Sequence, residues 1–351
     1  MSLFEKNVQP DFEGFRKCIL GEKIPKRVFF SEFIIDNSVV EALVNRFDLG
    51  NDIQEDEPFA SVKKLINFNR FMGYDLVEVK SCSLPFTFQN QRPEEGDRPT
   101  NDPYNKGPIQ NWSDFEKYHW PDVKQVDFGE LEWLEKNLPP DMKCYLQLPV
   151  GLYKQLIGYE TMCYMIYEQT DLFQAVIDKL KGIFSRYAEL VCEFSCVGVI
   201  WNADDMGFKT QTFFPPDIIK ERILPLHSVV ASIAHNAEKL FFLHSCGNLE
   251  KIMLDLINQV HIDAKHSFED SILPVTEAKR KYGSDIALIG GIDVDVLCRS
   301  PEKELRCYVR QILDYCQKGG RYALGSGNSI ADYVPINNFL IMLDEGRRYF
   351  S

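Results

Sequence analysis

Short apolar runs alternate with longer amphipathic runs along most of the chain, and this repeat restricts the fold more than any other feature. The short runs are rich in β-branched and aromatic residues, as in buried strands, whereas the longer runs have helical periodicity. Strands that alternate with helices run parallel, because each helix returns the chain to the same end of the sheet. The predicted strands cover residues 27–30, 75–79, 144–148, 197–201, 240–244, 262–265, 286–289 and 322–324.

This number of parallel strands, about eight, is the number that closes a (β/α)₈ barrel of the TIM type. Sequence signals mark the ends of several helices: Pro215, Pro216 and Asp217 open one, and Gly319 and Gly320 end another. We therefore predict an α/β fold in which residues 1–351 form a single TIM-type barrel domain. The predicted helices include residues 172–193, 216–238, 248–259, 301–317 and 336–349.

One segment interrupts this alternation. Residues 87–112 are rich in Pro, Gly, Asn, Asp and Glu and show no periodicity, which is too long for an ordinary connection between strand and helix. The segment is an insertion after the second predicted strand, so it would lie over the catalytic mouth of a barrel. It is interpreted either as a lid or as a flexible insertion without a role in the site.

The charge of the chain restricts its partners. Asp and Glu number 52 against 39 Lys and Arg, giving a formal net charge of −13, so the overall field repels nucleic acids and anionic membranes. No apolar run reaches the roughly 20 residues of a membrane helix, and residues 1–10 lack the apolar core of a secretory signal. We expect a cytoplasmic protein that acts on a small molecule. A homodimer would be ordinary for such an enzyme.

The active sites of TIM-type barrels form at the carboxyl ends of the strands. Residues that directly follow the predicted strands are unusually polar here, so candidate site residues are expected to meet on one rim. In chain order they are Ser31, Glu32, Ser81, Cys82, Asn202, Asp204, Asp205, His244, Cys246, His266, Glu269, Gly290, Gly291, Asp293, Gly325, Ser326, Gly327 and Asn328.

His244 and Cys246 carry the most specific chemistry of this rim. Residues i and i+2 of a strand point to the same side, so the imidazole and the thiol are expected to face one cavity. Nitrogen and sulfur ligands together suit a soft metal, above all zinc. The alternative is a metal-free barrel wall in which Cys246 is a small buried hydrophobe and His244 a hydrogen-bonded core residue.

Other rim residues suggest acid–base chemistry. If the adjacent Asp204 and Asp205 face one pocket, one carboxylate is pushed toward holding a proton, which gives an acid and a base. His266 and Glu269 would orient a ligand or move a proton. Each has a structural alternative as a loop or helix cap. No GxGxxG, GxxxxGKS or GxSxG motif occurs in the required context, so nucleotide-dependent chemistry and a serine hydrolase are not favoured.

Four stretches resemble, in order and spacing, the uroporphyrinogen decarboxylase superfamily. This superfamily includes cobalamin-dependent methyltransferases, which move methyl groups between corrinoid proteins and thiols, and its fold is a TIM-type barrel. Before residue 197 the resemblance is one of strand order alone. The four stretches are residues 202–207 (Asn-Ala-Asp-Asp-Met-Gly), 243–248 (Leu-His-Ser-Cys-Gly-Asn), 288–293 (Leu-Ile-Gly-Gly-Ile-Asp) and 324–330 (Leu-Gly-Ser-Gly-Asn-Ser-Ile).

The chain departs from the decarboxylase pattern. Decarboxylases of this superfamily use no metal and hold a porphyrinogen with a Met-Arg-Gln-Ala-Gly-Arg segment after the first strand and an Asp after the second. These places are occupied here by residues 30–33 (Phe-Ser-Glu-Phe) and 80–83 (Lys-Ser-Cys-Ser). Without the arginines, the carboxylates of a porphyrinogen would meet Glu32. Porphyrinogen decarboxylation is therefore not expected.

The chain resembles the methyltransferases more closely at His244 and Cys246. In that branch these two positions bind zinc together with a second Cys in the last strand–helix loop, and the zinc removes the proton from a bound thiol. The last-loop position is Ser326 here, and serine is a poor zinc ligand at neutral pH. Three other rim residues are candidates to complete the site: Cys82, Asp205 and Glu269.

We therefore predict a zinc-assisted, methyltransferase-like enzyme that acts on a small methylated or thiol substrate and is linked to a corrinoid protein. The first alternative is a metal-free lyase of the decarboxylase type that acts on a carboxylated substrate through the Asp pair. The second is a non-catalytic barrel that binds a corrinoid protein. The predicted metal ligands are His244, Cys246 and Cys82; the predicted acid–base or positioning groups are Asp204, Asp205, His266 and Glu269; the predicted substrate contacts are Asn202, Asp293, Ser326 and Asn328.

Overall fold

A computed structural model describes residue 4, residues 8–88 and residues 106–350 of the chain. Seven parallel strands of these residues form one sheet, in which every strand pairs with its neighbour in the sequence. The predicted α/β fold with a parallel sheet is thus confirmed. The strands are β1 (Leu76–Val79), β2 (Lys143–Leu148), β3 (Val197–Ala203), β4 (Leu240–His244), β5 (Ala264–His266), β6 (Ala287–Ile289) and β7 (Tyr322–Ala323).

Helices connect the strands and also precede β1. The helices are α1 (Phe12–Ile19), α2 (Asn37–Arg46), α3 (Ala60–Met72), α4 (Trp112–Lys117), α5 (Gly129–Asn137), α6 (Tyr153–Ile157), α7 (Tyr159–Glu168), α8 (Thr170–Cys192), α9 (Pro216–Ile218), α10 (Leu224–Asn236), α11 (Met253–Asp255), α12 (Val275–Tyr282), α13 (Val294–Arg299), α14 (Glu302–Cys316) and α15 (Ile336–Arg348). Short 3₁₀ segments cover Val123–Gln125 and Val150–Leu152, and π-helical segments cover Ile219–Ile223 and Leu256–Val260.

The first predicted strand, residues 27–30, is reduced to a single pairing residue. Phe30 forms parallel bridges with Tyr74, just before β1, and with Leu324, just after β7. Backbone hydrogen bonds of 2.9 Å from Ser31 to Leu324 and of 2.8 Å from Leu324 to Phe29 fix the second bridge. Pairing on either side stops after one residue, so no ladder forms, but Phe30 still links the two edge strands of the sheet.

Alternation along the strands separates two hydrophobic layers. Val199 and Trp201 of β3 and Phe242 of β4 belong to a cluster on one face of the sheet, here called the inner cluster. Ile200 and Phe241, one residue out of phase, pack outward against the helices in a larger cluster. The inner cluster combines large aromatic side chains with alanines of β5, β6 and β7, because side chains of mixed size are needed to fill the space inside a curved sheet.

One predicted helix begins later than expected, and the expected lid can be compared with the structure only at its two ends. The helix expected over 248–259 begins only at Met253, and the backbone N–H of Asn248 before it donates to the carbonyl of Phe208 (2.7 Å). The lid expected over 87–112 falls mainly on residues 89–105, which lie outside the described residues. Its far end is held to the body of the protein, since the N–H of Ile109 donates to the carbonyl of Leu156 (2.9 Å).

No helix within the described ranges is both long enough and apolar enough to cross a membrane.

Candidate functional site

The register of the central strands brings two imidazoles to the inside of the sheet's carboxyl edge. Ala203 of β3, His244 of β4 and His266 of β5 are paired in register across the three strands. His244 follows the inner residue Phe242 by two positions, so its side chain also points inward. Asn202 follows the inner residue Trp201 by one position, so its side chain points to the opposite face, toward the helices.

Asp205, His244 and Cys246 form a compact group of potential metal ligands at this edge. One ligand atom from each residue lies within 4.8 Å of the other two. The Nε2 atom of His244 is 3.5 Å from the Sγ atom of Cys246 and 3.6 Å from the Oδ1 atom of Asp205. The predicted pair thus shares one wall, and Asp205, one of three sequence candidates for the third ligand, joins it.

Cys246 lies in the loop after β4 and is contacted by three residues that follow other strands. The backbone N–H of Cys246 donates to Oδ1 of Asp205 at 2.7 Å, and Nδ2 of Asn328 donates to the sulfur at 3.2 Å. The hydroxyl of Ser267 lies 3.6 Å from the same sulfur. The loop then turns sharply at Gly247, whose φ is +88°, and a Cβ there would lie 2.1 Å from the carbonyl oxygen of Gly207.

Hydrogen bonds decide which nitrogen of His244 faces this group. The carbonyl of Ser326 can only accept, so Nε2 of His266, 3.4 Å away, carries a proton. In a neutral His266 the Nδ1 atom is then the acceptor, and it lies 2.8 Å from Nδ1 of His244. His244 therefore donates through Nδ1 and keeps an unprotonated Nε2 toward Asp205 and Cys246. Phe33 stacks on the imidazole of His244 with ring centroids 4.0 Å apart.

Burial keeps both rings and the thiol uncharged. Loss of water lowers the pKa of His244 to about 4, although the nearby Asp205 carboxylate opposes the shift. Burial holds the pKa of His266 well below its ordinary value. Burial, aided by Asp205, raises the pKa of the Cys246 thiol to about 11. A neutral imidazole is a ready metal ligand, whereas the sulfur needs a nearby cation to lose its proton.

The two adjacent aspartates have different environments, contrary to the expectation of a carboxylate pair. Asp204 is fully buried and is bound by Lys154, by the hydroxyl of Tyr153 (3.1 Å) and by Nε2 of His227 (3.0 Å). Burial alone would raise the pKa of Asp204, but Lys154 and His227 outweigh it and hold the pKa below its ordinary value. Asp204 is thus an ionised partner in a buried network, and only Asp205 faces the metal-ligand group.

Four other predicted site residues lie away from this group. Asn202 points outward and donates to Nδ1 of His227 (2.5 Å), which the alternation of β3 explains. Asp293 caps α13 and also accepts from the N–H of Asp270 (2.8 Å). Cys82 packs in the outer hydrophobic cluster, and Glu269 is exposed. Among the described residues, neither belongs to the metal-ligand group.

Ser326 is buried beneath the rings rather than exposed to a ligand. Its N–H and hydroxyl donate to the carboxyl group of Glu32, at 2.8 Å and 2.5 Å. Burial raises the pKa of Glu32 to about 8, so this carboxyl is mostly protonated at neutral pH. A continuous polar chain thus runs from Glu32 through Ser326 and His266 to His244.

A cavity of about 470 Å³ opens at the carboxyl ends of β1, β2 and β3. Its wall includes Ala203, which is paired in register with His244. Glu78, Lys80 and Gln147 supply polar groups, and Nε2 of Gln147 donates to Glu78 at 2.8 Å. A cavity of this size suits a small substrate.

The sequence interpretation missed Lys154, Tyr153, His227 and Phe33. Tyr153 and Lys154 lie shortly after β2, at the same carboxyl edge of the sheet as the predicted site residues. No residue that follows this strand was predicted to belong to the site. The position of Lys154 was therefore a usable signal. His227 lies within α10, where nothing in the sequence distinguishes it from an ordinary core residue.

Comparison with solved structures finds similar folds. A methyltransferase from Methanosarcina mazei has 17% sequence identity and a TM-score of 0.71, with 96% of this chain and 98% of that chain covered. A structure described as a putative vitamin-B12-independent methionine synthase from Listeria monocytogenes has 11% identity and a TM-score of 0.51, with 98% of each chain covered. At these identities the likeness concerns the fold alone. No curated protein sequence matches the chain.

Comparison with protein families gives a match over most of the chain. The uroporphyrinogen decarboxylase (URO-D) family matches residues 98–349, which include all of the strands β2 to β7 and the metal-ligand group. This match confirms the resemblance that the four sequence stretches indicated. The chain therefore belongs to the uroporphyrinogen decarboxylase (URO-D) family.

Proposed function

We propose that this protein is a methyltransferase of the URO-D family that holds a zinc ion with Asp205, His244 and Cys246. The observation that carries the proposal is the convergence of an oxygen, a nitrogen and a sulfur within 4.8 Å of one another. Three protein ligands of this kind leave one position of a tetrahedral zinc ion open for a substrate. The proposal also includes a closed (β/α)₈ barrel, with Phe30 in the place of the eighth strand.

The spacing of the three residues fits zinc. Zinc binds histidine nitrogen at about 2.0–2.1 Å and thiolate sulfur at about 2.3 Å, so tetrahedral geometry separates the two ligand atoms by about 3.5 Å. The Nε2–Sγ distance between His244 and Cys246 is 3.5 Å. The Nε2–Oδ1 distance of 3.6 Å between His244 and Asp205 is also within the range of such a site.

The surrounding residues support the same assignment. His266 holds His244 with its unprotonated Nε2 toward the group, as hydrogen-bonded partners of metal-bound histidines commonly do. Asn328 donates to the sulfur of Cys246, and such a hydrogen bond stabilises negative charge on sulfur. Asn328 therefore supports a metal ligand in this proposal, rather than contacting the substrate as its place in the sequence suggested.

The reaction in this proposal is methylation of a small thiol or its reverse. A zinc ion bound here would supply positive charge that lowers the pKa of a substrate thiol. The thiol proton passes to solvent, a C–S bond forms to the incoming methyl group, and the bond between that carbon and its donor breaks, leaving the electron pair on the donor. The proposed donor is a methylated corrinoid carried by a partner protein.

Metal analysis and a methyl-transfer assay test the proposal. The purified parent should contain about one zinc per chain and should methylate a small thiol, such as 2-mercaptoethanol, from free methylcobalamin. His244→Ala and Cys246→Ser should lose both properties. Cys163→Ser and His261→Ala change exposed residues of the same types and should keep both. A parent that holds no metal after growth and purification with added zinc would defeat the proposal.

The lyase alternative lacks the acid–base pair on which it depended. Asp204 is occupied by Lys154, Tyr153 and His227, so Asp205 would have to act alone. Full decarboxylase activity in chelator-treated protein, lost in Asp205→Asn, would favour that alternative. Tight binding of a corrinoid protein without methyl transfer to any thiol would favour the non-catalytic alternative.

A further inference from the structure

Lys154 lies behind the candidate metal site and belongs to neither the predicted ligands nor the predicted substrate contacts. We propose that Lys154 is a positioning residue: held by Asp204, it fixes the backbone of Asp205 so that the Asp205 carboxylate faces His244 and Cys246. This inference rests on the proposed metal site and names the residue that completes its geometry.

The side-chain amine of Lys154 binds the two consecutive aspartates in different ways. It donates to the carboxylate of Asp204 and also to the backbone carbonyl of Asp205. The side chain of Lys154 is 8% exposed and that of Asp204 is fully buried, so water does not compete for these bonds. Lys154 belongs to α6, so a side chain of this helix holds the loop that follows β3.

Asp204 is held firmly enough to act as an anchor. Tyr153 and His227 bind its carboxylate from two further directions, at 3.1 Å and 3.0 Å. The N–H of Asp204 donates to the carbonyl of His244 at 3.0 Å, which ties the loop to β4. Gly151 leaves the space for this network, since a Cβ there would lie 2.7 Å from Oδ1 of Asp204 and 3.1 Å from its Cα.

Asp205 needs such support because its own side chain is loosely surrounded. Its side chain is 47% exposed, and Oδ1 contacts the N–H of Cys246 at 2.7 Å and Nε2 of His244 at 3.6 Å. An exposed carboxylate on a mobile backbone would lose conformational entropy on binding a metal. Fixing the backbone in advance removes part of that cost, as in other preorganised sites.

The test must separate this positioning role from the general stability of the protein. Lys154→Met alone leaves the charge of Asp204 buried without its main partner, which is strongly destabilising. The double variant Lys154→Met/Asp204→Asn removes the ion pair as a unit and keeps a polar group for Tyr153 and His227. It should unfold near the temperature of the parent but bind zinc about 10- to 100-fold more weakly, measured by competition with a chromophoric chelator.

Cobalt substitution reports the geometry without any activity assay. With Co²⁺ in place of zinc, the double variant should keep the sulfur-to-metal charge-transfer band, because Cys246 remains, and should change its d–d bands, because Asp205 is displaced. Lys239→Met is the matched control: Lys239 also donates to a backbone carbonyl, that of Phe194 (3.2 Å), away from the site. It should bind both metals as the parent does.

The outcomes distinguish this inference from the proposed function. A parent without metal affinity defeats the proposed site itself. A parent that binds zinc, together with a double variant that binds it equally well, overturns only the role of Lys154. If the double variant does not fold, Gly151→Ala takes its place, because it crowds Asp204 while keeping both charges. Weaker zinc binding by Gly151→Ala would support the inference, and parental affinity would overturn it.

Discussion

The Nδ1 atoms of His244 and His266 lie 2.8 Å apart, and this contact makes one imidazole the hydrogen-bond donor of the other. Since Nε2 of His266 is directed at the carbonyl of Ser326, the donor is His244. The ring of His244 therefore presents a free nitrogen to Asp205 and Cys246 before any ligand arrives.

Replacing His266 with Phe should weaken zinc binding by about 10- to 100-fold, because His244 would lose the partner that keeps the proton on Nδ1. The inner cluster already contains large rings, so the variant should fold. Chelator competition measures the affinity. His235→Gln, which removes a histidine bound to Asp263 outside the site, should leave zinc binding unchanged. Parental affinity in His266→Phe would show that the contact has no role in metal binding.

Substitution of the two adjacent aspartates should give opposite results. Asp204→Ala leaves Lys154 buried without its partner and should cost about 3–5 kcal/mol of the free energy of unfolding. Asp205→Ala removes a half-exposed carboxylate and should cost about 1 kcal/mol, while zinc binding is largely lost. Urea unfolding of the metal-free proteins and a zinc titration measure the two effects. Equal loss of stability in both variants would contradict the separation of their roles.

Asn328→Ala should weaken zinc binding by up to about tenfold, because it removes a single hydrogen bond to the sulfur of Cys246. The charge-transfer band of the Co²⁺ protein should shift as well, since the electron density on sulfur changes. Asn137→Ala serves as the control, because it removes an exposed asparagine whose side chain donates to the carbonyl of Trp133 in the same helix. An unshifted band would mean that Asn328 does not act on the sulfur.

Glu32→Gln should remove a pH dependence of stability. The pKa of Glu32 is raised by burial from 4.5 to about 8, so the folded protein binds this proton more tightly than the unfolded chain. The contribution is therefore present below pH 4.5 and is lost as pH rises toward 8, with a slope approaching about 1.4 kcal/mol per pH unit. The neighbouring Tyr74, Tyr145 and Tyr322 have pKa values well above their ordinary value and stay neutral in this window.

The measurement is urea unfolding of the parent and Glu32→Gln between pH 5 and pH 9. The variant should gain stability relative to the parent as pH rises, and the difference should level off above about pH 8. Glu189→Gln, an exposed surface substitution, should track the parent. If the difference in free energy of unfolding between the parent and Glu32→Gln does not vary with pH, Glu32 is ionised across this whole pH range.

Much of the fold could be predicted from local patterns. Seven of the eight predicted runs became strands within about two residues of their expected bounds, because burial on both faces requires continuous apolar runs. The exception, residues 27–30, pairs through Phe30 alone. The length of its pairing depends on how far the segments that contain Tyr74 and Leu324 run parallel to it. The sequence of residues 27–30 does not specify that length.

The sequence alone is enough to predict that the side chain of His244 points inward, because the alternation of a strand is a local property. It also places Cys246 two residues later, in the loop just past the end of β4. Which of the two aspartates joins them depends on contacts across the fold. Asp204 and Asp205 are chemically identical neighbours on a loop without periodicity. The partners that distinguish their carboxylates, Lys154 for Asp204 and Cys246 for Asp205, lie 50 and 41 residues away in the chain. A contact between segments so far apart forms only when the strands are assembled.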